Sequence, residues 1–319
     1  MSELRRRTDP GTEIIEALTD DDFSSVGAAD DASADRGATL WSDAWLQCKR
    51  RPLFWTCLAI IAVLVTAAIF PGLFTGKDPR ACSLRDSLRT PSGDHWFGTD
   101  LQGCDYYART VYGARVSITV GLLVTSLAAT IAIVGGSLAG YYGGIVDSII
   151  ARLADVWFAI PTVLGGIVLL TVIEDRWDRT ITSVSIVLAI FAWPTMLRLV
   201  RSAVLAVKES DYVDAARALG ASDFRIITRH ILPNAITPVI VYATITVGVI
   251  IAAEATFSFL GVGLRLPSIS WGLMIAGADD RIRTAPHLLL FPGGILSITV
   301  FAFILLGDVL RDALDPKLR

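Results

Sequence analysis

From Val116 to Val146 the chain runs 31 residues without an Asp, Glu, Lys, Arg or His. A soluble core helix has no need of so long a charge-free run, whereas crossing a bilayer takes about 20 apolar residues. The rest of the sequence agrees: 53% of its 319 residues are hydrophobic and 18% charged, below the roughly 25% typical of soluble domains. A soluble globular protein is excluded, and the fold class expected is an all-α membrane protein.

Six spans are expected, at about Pro52–Phe74, Val116–Gly140, Val156–Ile173, Ile181–Leu197, Ile236–Phe259 and Leu288–Leu306. Each is long enough to cross with modest tilt. Placing the N-terminus inside puts 17 of the 28 Lys and Arg on inner segments. Lys49-Arg50-Arg51 then abut the first span, where the positive-inside rule acts most strongly. An even number of spans makes both termini cytoplasmic. Residues 75–111 become the largest outer segment and 198–235 the largest inner loop. The domains expected are an acidic cytoplasmic tail (1–40), an anchor helix with its extracytoplasmic segment (41–111), and a transmembrane domain (112–319) with an inner loop at 208–230.

The tail carries ten acidic and four basic residues and one aromatic, Phe23. Such a composition buries too little apolar surface to order itself. No apolar run follows Arg5–Arg7 as a signal peptide would require. No basic stripe marks a nucleic-acid partner, and His95, His230 and His287 lack metal-ligand spacing. Cys48 and Cys57 read as inert. Cys82 and Cys104 both fall in the outer segment. A disulfide there would stabilise by about 3 kcal/mol through loop closure; the alternative is two free thiols.

The inner loop has readable local physics. Asp211 suits an N-cap, with Asp214 near the positive end of a short helix Tyr212–Leu219. Gly220 falls where a left-handed C-terminal turn is needed. Ser222 or Asp223 then caps a second helix leading to Pro233. The result is a knuckle on the inner surface, and the paired alanines Ala215 and Ala216 let a partner approach closely. On these residues alone an ordinary amphipathic surface loop is an equal reading.

The loop resembles the signature of ABC-transporter permease subunits: Asp214-Ala215-Ala216, three residues, Gly220, nine residues, then His230-Ile231-Leu232-Pro233. Asp214 stands where the family has Glu, and His230 where it has an apolar residue. Further blocks resemble the C-type subunit of dipeptide and oligopeptide permeases. These are Phe97-Gly-Thr-Asp-Leu-Gln-Gly-Cys104-Asp105, Tyr112-Gly113-x-Arg115-x-Ser117, Ala139-Gly-Tyr-Tyr-Gly-Gly-x-x-Asp147, Arg152-x-x-Asp155 before Pro161, Glu254-Ala255, Ser258-Phe-Leu-Gly-Val-Gly263 and Ser270-Trp271-Gly272. Cys104 departs from the family's usual Arg. The likeness covers roughly residues 45–316.

The resemblance implies a type I ABC importer permease fold and a coupling role toward an ATPase for Tyr212, Asp214, Ala215, Ala216, Leu219 and Gly220. It implies a second homologous permease, ATPase subunits or a fused ATPase carrying ATP and Mg, an extracytoplasmic peptide-binding protein, and a place in the cytoplasmic membrane among its lipids. Peptide is the substrate it points to, with nickel or another small solute as the alternative. The chain itself holds four lysines, none in a phosphate loop, so it is expected to be non-catalytic and without a cofactor of its own.

Several residues carry two readings. Glu254, with Ser258 nearby, either lines the pathway or gate or is hydrogen-bonded within the bundle. Trp271 reads as an interface anchor or a residue of the outer mouth, and Trp96 and Trp157 as anchors. Arg152 and Asp155, one turn apart, are expected to pair. Gly135-Gly-Ser137-Leu-Ala139 is near a hydrolase motif but reads as small-residue helix packing. A stand-alone secondary transporter would want paired intramembrane charges and inverted repeats; the sequence offers one Glu. A scaffolding subunit without a translocation role is the other rival.

Overall fold

The computed structural model describes residues 40–174 and 179–314. The acidic tail 1–39 lies outside the described residues. Residues 1–46 and 47–319 form separate units, and the first contributes only the start of helix α1 (Leu40–Arg50). Among the described residues the regular structure is helical, apart from two isolated bridges, Cys82 to Cys104 and Thr99 to Asp105.

Among the described residues five helices are long and apolar enough to cross a membrane: α2 (Pro52–Ile69), α3 (Tyr106–Tyr142), α6 (Ile181–Lys208), α8 (Thr237–Phe259) and α10 (His287–Leu314). α3 begins ten residues before the span expected at Val116. Asp105 caps it, its Oδ1 accepting the Ala108 N–H at 2.9 Å. Thirty-seven residues make a rod of about 55 Å, well beyond the ~30 Å hydrocarbon core, so its first turns stand clear of the apolar run. Hydropathy alone counts only the apolar part.

The third expected span is not one straight helix. It is a bent pair, α4 (Gly144–Phe158) and α5 (Thr162–Glu174), meeting at 88° around Pro161. Proline at the junction has no N–H to continue the ladder. Counted together, the bent pair makes six candidate spans.

Glycines set the helix packing. A Cβ on Gly136 would lie 2.7 Å from Val200, and one on Gly140 2.8 Å from Val204. Residue numbers rise together along this seam, so α3 and α6 run parallel. Gly135 likewise meets Leu197 at 2.8 Å, which makes the Gly135–Ala139 segment a packing surface. Gly121 meets Ile251 of α8, and Gly248 and Gly307 join α8 to α10. Close approach of small residues is how helices associate in lipid, where the hydrophobic effect between them is absent.

Parallel α3 and α6 define two ends. At the cap end, where both begin, Arg115 donates to the last carbonyls of α2, Ala68 O at 2.9 Å and Ile69 O at 3.1 Å. At the knuckle end, where both finish, Arg51 at the start of α2 pairs with Asp312 near the end of α10 at 2.6 Å.

Candidate functional site: the knuckle and a buried polar node

After α6 the chain turns into α7 (Asp211–Ala218). The N-cap position is Ser210, one residue before the Asp211 expected there, and no side chain caps the helix. Asp214 pairs instead with Arg217 one turn on, at 2.7 Å. Gly220 has φ +79°. Its N–H bonds Arg217 O and the Ala221 N–H bonds Ala216 O, the two hydrogen bonds of a Schellman turn. Nothing lies within 4 Å of a Cβ placed on Gly220, so the constraint there is backbone conformation alone.

The second helix starts at Asp223–Arg225, but its centre is a π-helical turn, Ile226–Ile231, before Leu232–Ala235. Pro233 supplies no N–H, and the Leu232 N–H reaches back five residues to Ile227 O. Such a wide turn rotates the following residues relative to an α-helix. Ile226, Ile227 and Ile231 are buried, while His230 stays half-buried.

α7 has an inner and an outer face. Val213 and Ala216 are buried, Val213 in a cluster with Val200, Val204, Ile226 and Ile231. Tyr212, Asp214, Ala215 and Leu219 are exposed, Leu219 at 88% and the neighbouring Phe224 at 78%. The paired alanines therefore divide: Ala215 is open to a partner, and Ala216 packs the helix onto its own chain. Tyr141 at the end of α3 donates to Asp223 at 2.7 Å, and Asn234 donates to Tyr212 Oη at 3.1 Å. The knuckle is thus fastened to α3 and α6 while presenting large apolar side chains outward.

A second constellation lies within the helices. Glu254 of α8 is fully buried. Its Oε1 accepts from Ser258 Oγ at 2.8 Å and from Ser270 Oγ at 2.9 Å. Ser270 is the N-cap of a short helix, α9 (Trp271–Ala276), and its Oγ also accepts the Leu273 N–H. The second oxygen of Glu254, Oε2, is buried with no hydrogen-bond partner among the described residues.

Trp271 does not have the exposure of an interface anchor. It is completely buried, its backbone N–H on Ser117 Oγ at 3.1 Å and its indole N–H on Thr110 O at 2.9 Å. Gly113 lets the ring in, and Gly272 lets α9 approach to within 2.6 Å of Ala255 Cα, measured from a Cβ placed there. Buried Trp is stable where its N–H has a partner. α9 is pinned between α3 and α8 by this node. Trp96 is exposed beside Tyr107, and Trp157 is half-buried edge-on to Phe191.

At the cap end Cys82 and Cys104 are joined as a disulfide. Asp100 pairs with Arg109. Asp105 Oδ2 accepts from Lys77 Nζ at 2.8 Å and lies 2.8 Å from His95 Nδ1. Burial pushes the Asp105 carboxyl up, but the hydrogen bonds from Lys77, the Ala108 N–H and His95 outweigh it and hold it below the usual aspartate value. A cavity of about 630 Å³ opens beside this region, lined by Arg109, Gln102, Leu264, Leu266, Met274 and others.

Two further corrections concern charges. Arg152 and Asp155 do not pair. Asp155 bonds Arg198 of α6 at 2.6 Å, and Asp147 grips Arg201 through both oxygens. The sequence reading also passed over Phe224, Asp223, Ser117 and Ser270 as site residues. Ser270 carried a signal, a cap-forming residue directly before Trp-Gly. Among the described residues no group of three or more His, Cys, Asp or Glu could hold a metal.

Comparison with known proteins places this geometry. Residues 132–319 match the family described as binding-protein-dependent transport system inner membrane component, and residues 39–91 the N-terminal TM domain of oligopeptide transport permease C. The chain is 39% identical to the oligopeptide transport system permease protein OppC of Bacillus subtilis, over 89% of this chain and 92% of that one. It is 38% identical to the glutathione transport system permease protein GsiD of Escherichia coli O6:K15:H31, over 89% and 93%. Among solved structures, the inward-facing MetNI methionine ABC transporter aligns with a TM-score of 0.52 and 20% identity, over 64% of this chain and 96% of that chain, a likeness of fold alone. The chain belongs to the binding-protein-dependent transport family, as a multi-pass membrane permease subunit of the ABC importer type.

Proposed function

We propose that this chain is one of two permeases in an ATP-driven importer that carries peptides across the cytoplasmic membrane. The knuckle faces the cytosol together with both termini. Its exposed residues Tyr212, Asp214, Ala215, Leu219 and Gly220, with Phe224, dock on an ATPase subunit, which binds ATP and Mg. The cap end faces an extracytoplasmic peptide-binding protein. The pathway lies between this chain and a second permease of similar fold.

The observation that carries this reading is the two-faced α7. Its face with Val213 and Ala216 is buried, and Val213 fixes it to the core that includes α6. Beside its open face, the C-cap Leu219 and Phe224 of the following helix stand in solvent, a poor arrangement unless a partner covers them. A push on α7 passes through Val213 to Val200 and Val204, and through Asp223 to Tyr141 at the end of α3. Substrate class rests on the relatives' names, and orientation on Lys49-Arg50-Arg51.

Ala216→Arg is a poor test, because Ala216 is a packing residue. Leu219→Asp changes only exposed surface. The tagged chain pulled from detergent-solubilised native membranes is expected to bring down an ATPase, and Leu219→Asp to lose it while keeping the second permease. Uptake of labelled peptide is expected to be competed by unlabelled peptides and not by nickel. ATPase recovery unchanged by Leu219→Asp overturns the docking assignment, and competition by nickel overturns the substrate.

A further inference from the structure

Helix α4 leaves α3 through Gly143 and Gly144, both at positive φ, and so starts at the knuckle end. Two ion pairs tie it to α6, Asp147 to Arg201 and Asp155 to Arg198. The two acids are eight residues apart, about 12 Å along α4, whereas the two arginines are three apart, about 4.5 Å along α6. α4 therefore crosses α6 steeply, and it meets α5 at 88°. It runs across the bundle beside Arg198 and Arg201, seven to ten residues before α6 ends at Lys208.

Only Ala154 of α4 is buried. Ile145, Ile149, Arg152 and Val156 recur at i, i+4, i+7 and i+11, one face of a helix, and all four are exposed, Ile145 at 79%. A shallow, open depression is lined by Gly144, Ile145, Ser148, Ile149 and Arg152. The charges are unevenly spent. Both acids of α4 are taken by α6, and among the described residues Arg152 makes no ion pair or side-chain hydrogen bond. The open face is thus apolar with one uncompensated cation.

We propose that the exposed face of α4, the inner half of the bent third span, binds an anionic phospholipid of the inner leaflet, its headgroup phosphate on Arg152 and its acyl region against Ile145, Ile149 and Val156. Water leaves the isoleucines unsatisfied. A second permease laid over this face would have to supply a counter-ion for Arg152, because a buried unpaired charge is costly. An anionic headgroup layer satisfies both features: the apolar stripe sinks to the acyl boundary and the guanidinium stays at the phosphates. The inner leaflet is specified by the proposed cytosolic orientation of the knuckle, on which this inference rests.

The assembled complex is equilibrated in detergent with equal amounts of dioleoylphosphatidylglycerol and dioleoylphosphatidylcholine, and retained lipids are counted by native mass spectrometry. Preferential retention of phosphatidylglycerol is expected. Arg152→Gln is expected to reduce that preference about fivefold, as for one basic residue near a charged surface, and Arg152→Lys to keep it. Arg152 holds no contact that folding needs, so a folded variant is expected. ATPase recovery is read from the same spectra, so absent ATPases overturn the importer reading while lipid preference is scored separately. An unchanged preference in Arg152→Gln overturns the proposal. So does crosslinking of Ile149→Cys to the second permease in the complex.

Discussion

The two ends of this molecule are built by opposite means. The cap end is held by a covalent link, by charged groups with partners such as Asp105 with Lys77 and Asp100 with Arg109, and by the Glu254–Ser270–Trp271 node. The knuckle is held by aliphatic packing under Val213, by one glycine turn and by two side-chain hydrogen bonds, Tyr141 to Asp223 and Asn234 to Tyr212, and it leaves Leu219 and Phe224 open. Buried polar contacts specify one geometry and are costly to break. Exposed apolar residues specify an affinity instead. One end is fixed mainly by polar and covalent ties within this chain, while the other leaves its largest apolar side chains, Leu219 and Phe224, uncovered.

The largest test of that contrast is Trp271→Ala. It removes a fully buried ring and leaves Thr110 O and α9 without their tie, a loss of about 3–5 kcal/mol by analogy with other buried aromatics. Thermal melting in detergent is expected to fall sharply, with little folded chain recovered. A melting curve within a degree or two of the parent would mean that the node does not hold the cap end together.

At the knuckle the expected effect is smaller and of another kind. Gly220→Val strains a left-handed turn at about 1–2 kcal/mol, with no clash to relieve. The chain is expected to fold and assemble, while peptide taken up per ATP hydrolysed drops. Parental coupling in Gly220→Val would remove the turn from the transmission path.

The smallest effect is a pH dependence confined to the cap end. The Asp105 carboxyl is held below its ordinary value in the folded chain. The folded state therefore binds its proton less readily than the unfolded one, and stability rises with pH through that interval. The contribution is present above the ordinary aspartate range, about pH 4, and is lost as pH falls through the lower folded value. Melting temperature followed from pH 6 down to pH 3 is expected to fall more steeply for the parent than for Asp105→Asn. Parallel curves would show that Lys77 and His95 do not act through Asp105.

What the sequence disclosed follows the reach of each signal. Hydropathy located the spans, because burying a helix in lipid demands composition and little else. The Gly220 turn was legible because a left-handed residue is a local requirement. Direction was not legible: apolar counts for Val156–Ile173 were the same whether or not the chain turned at Pro161. Nor was tertiary choice. Asp155 had a neighbour at Arg152, and only the fold brought Arg198 closer. Ala215 and Ala216 are chemically identical, and which one faces inward depends on where Ile226 and Ile231 sit. Trp271 was misplaced because amphipathic rings favour interfaces in general, while this one found Thr110 O and Ser117 inside.

The parallel seam of α3 and α6 has a mechanical reading. Ala128, Ala132, Gly136 and Gly140 fall every fourth residue along one stripe, and the last two sit almost in contact with Val200 and Val204. Side chains this short leave nothing soft between the two backbones, so the pair bends as one beam rather than sliding. Under the proposed docking of the knuckle, a displacement applied near Lys208 is expected to pass along this seam to residues 128–140 of α3. Such a beam also leaves a record in tolerance to substitution: a scan of residues 128–140 would meet its sharpest losses with a four-residue rhythm, each marking a rung where the beam admits no added carbon.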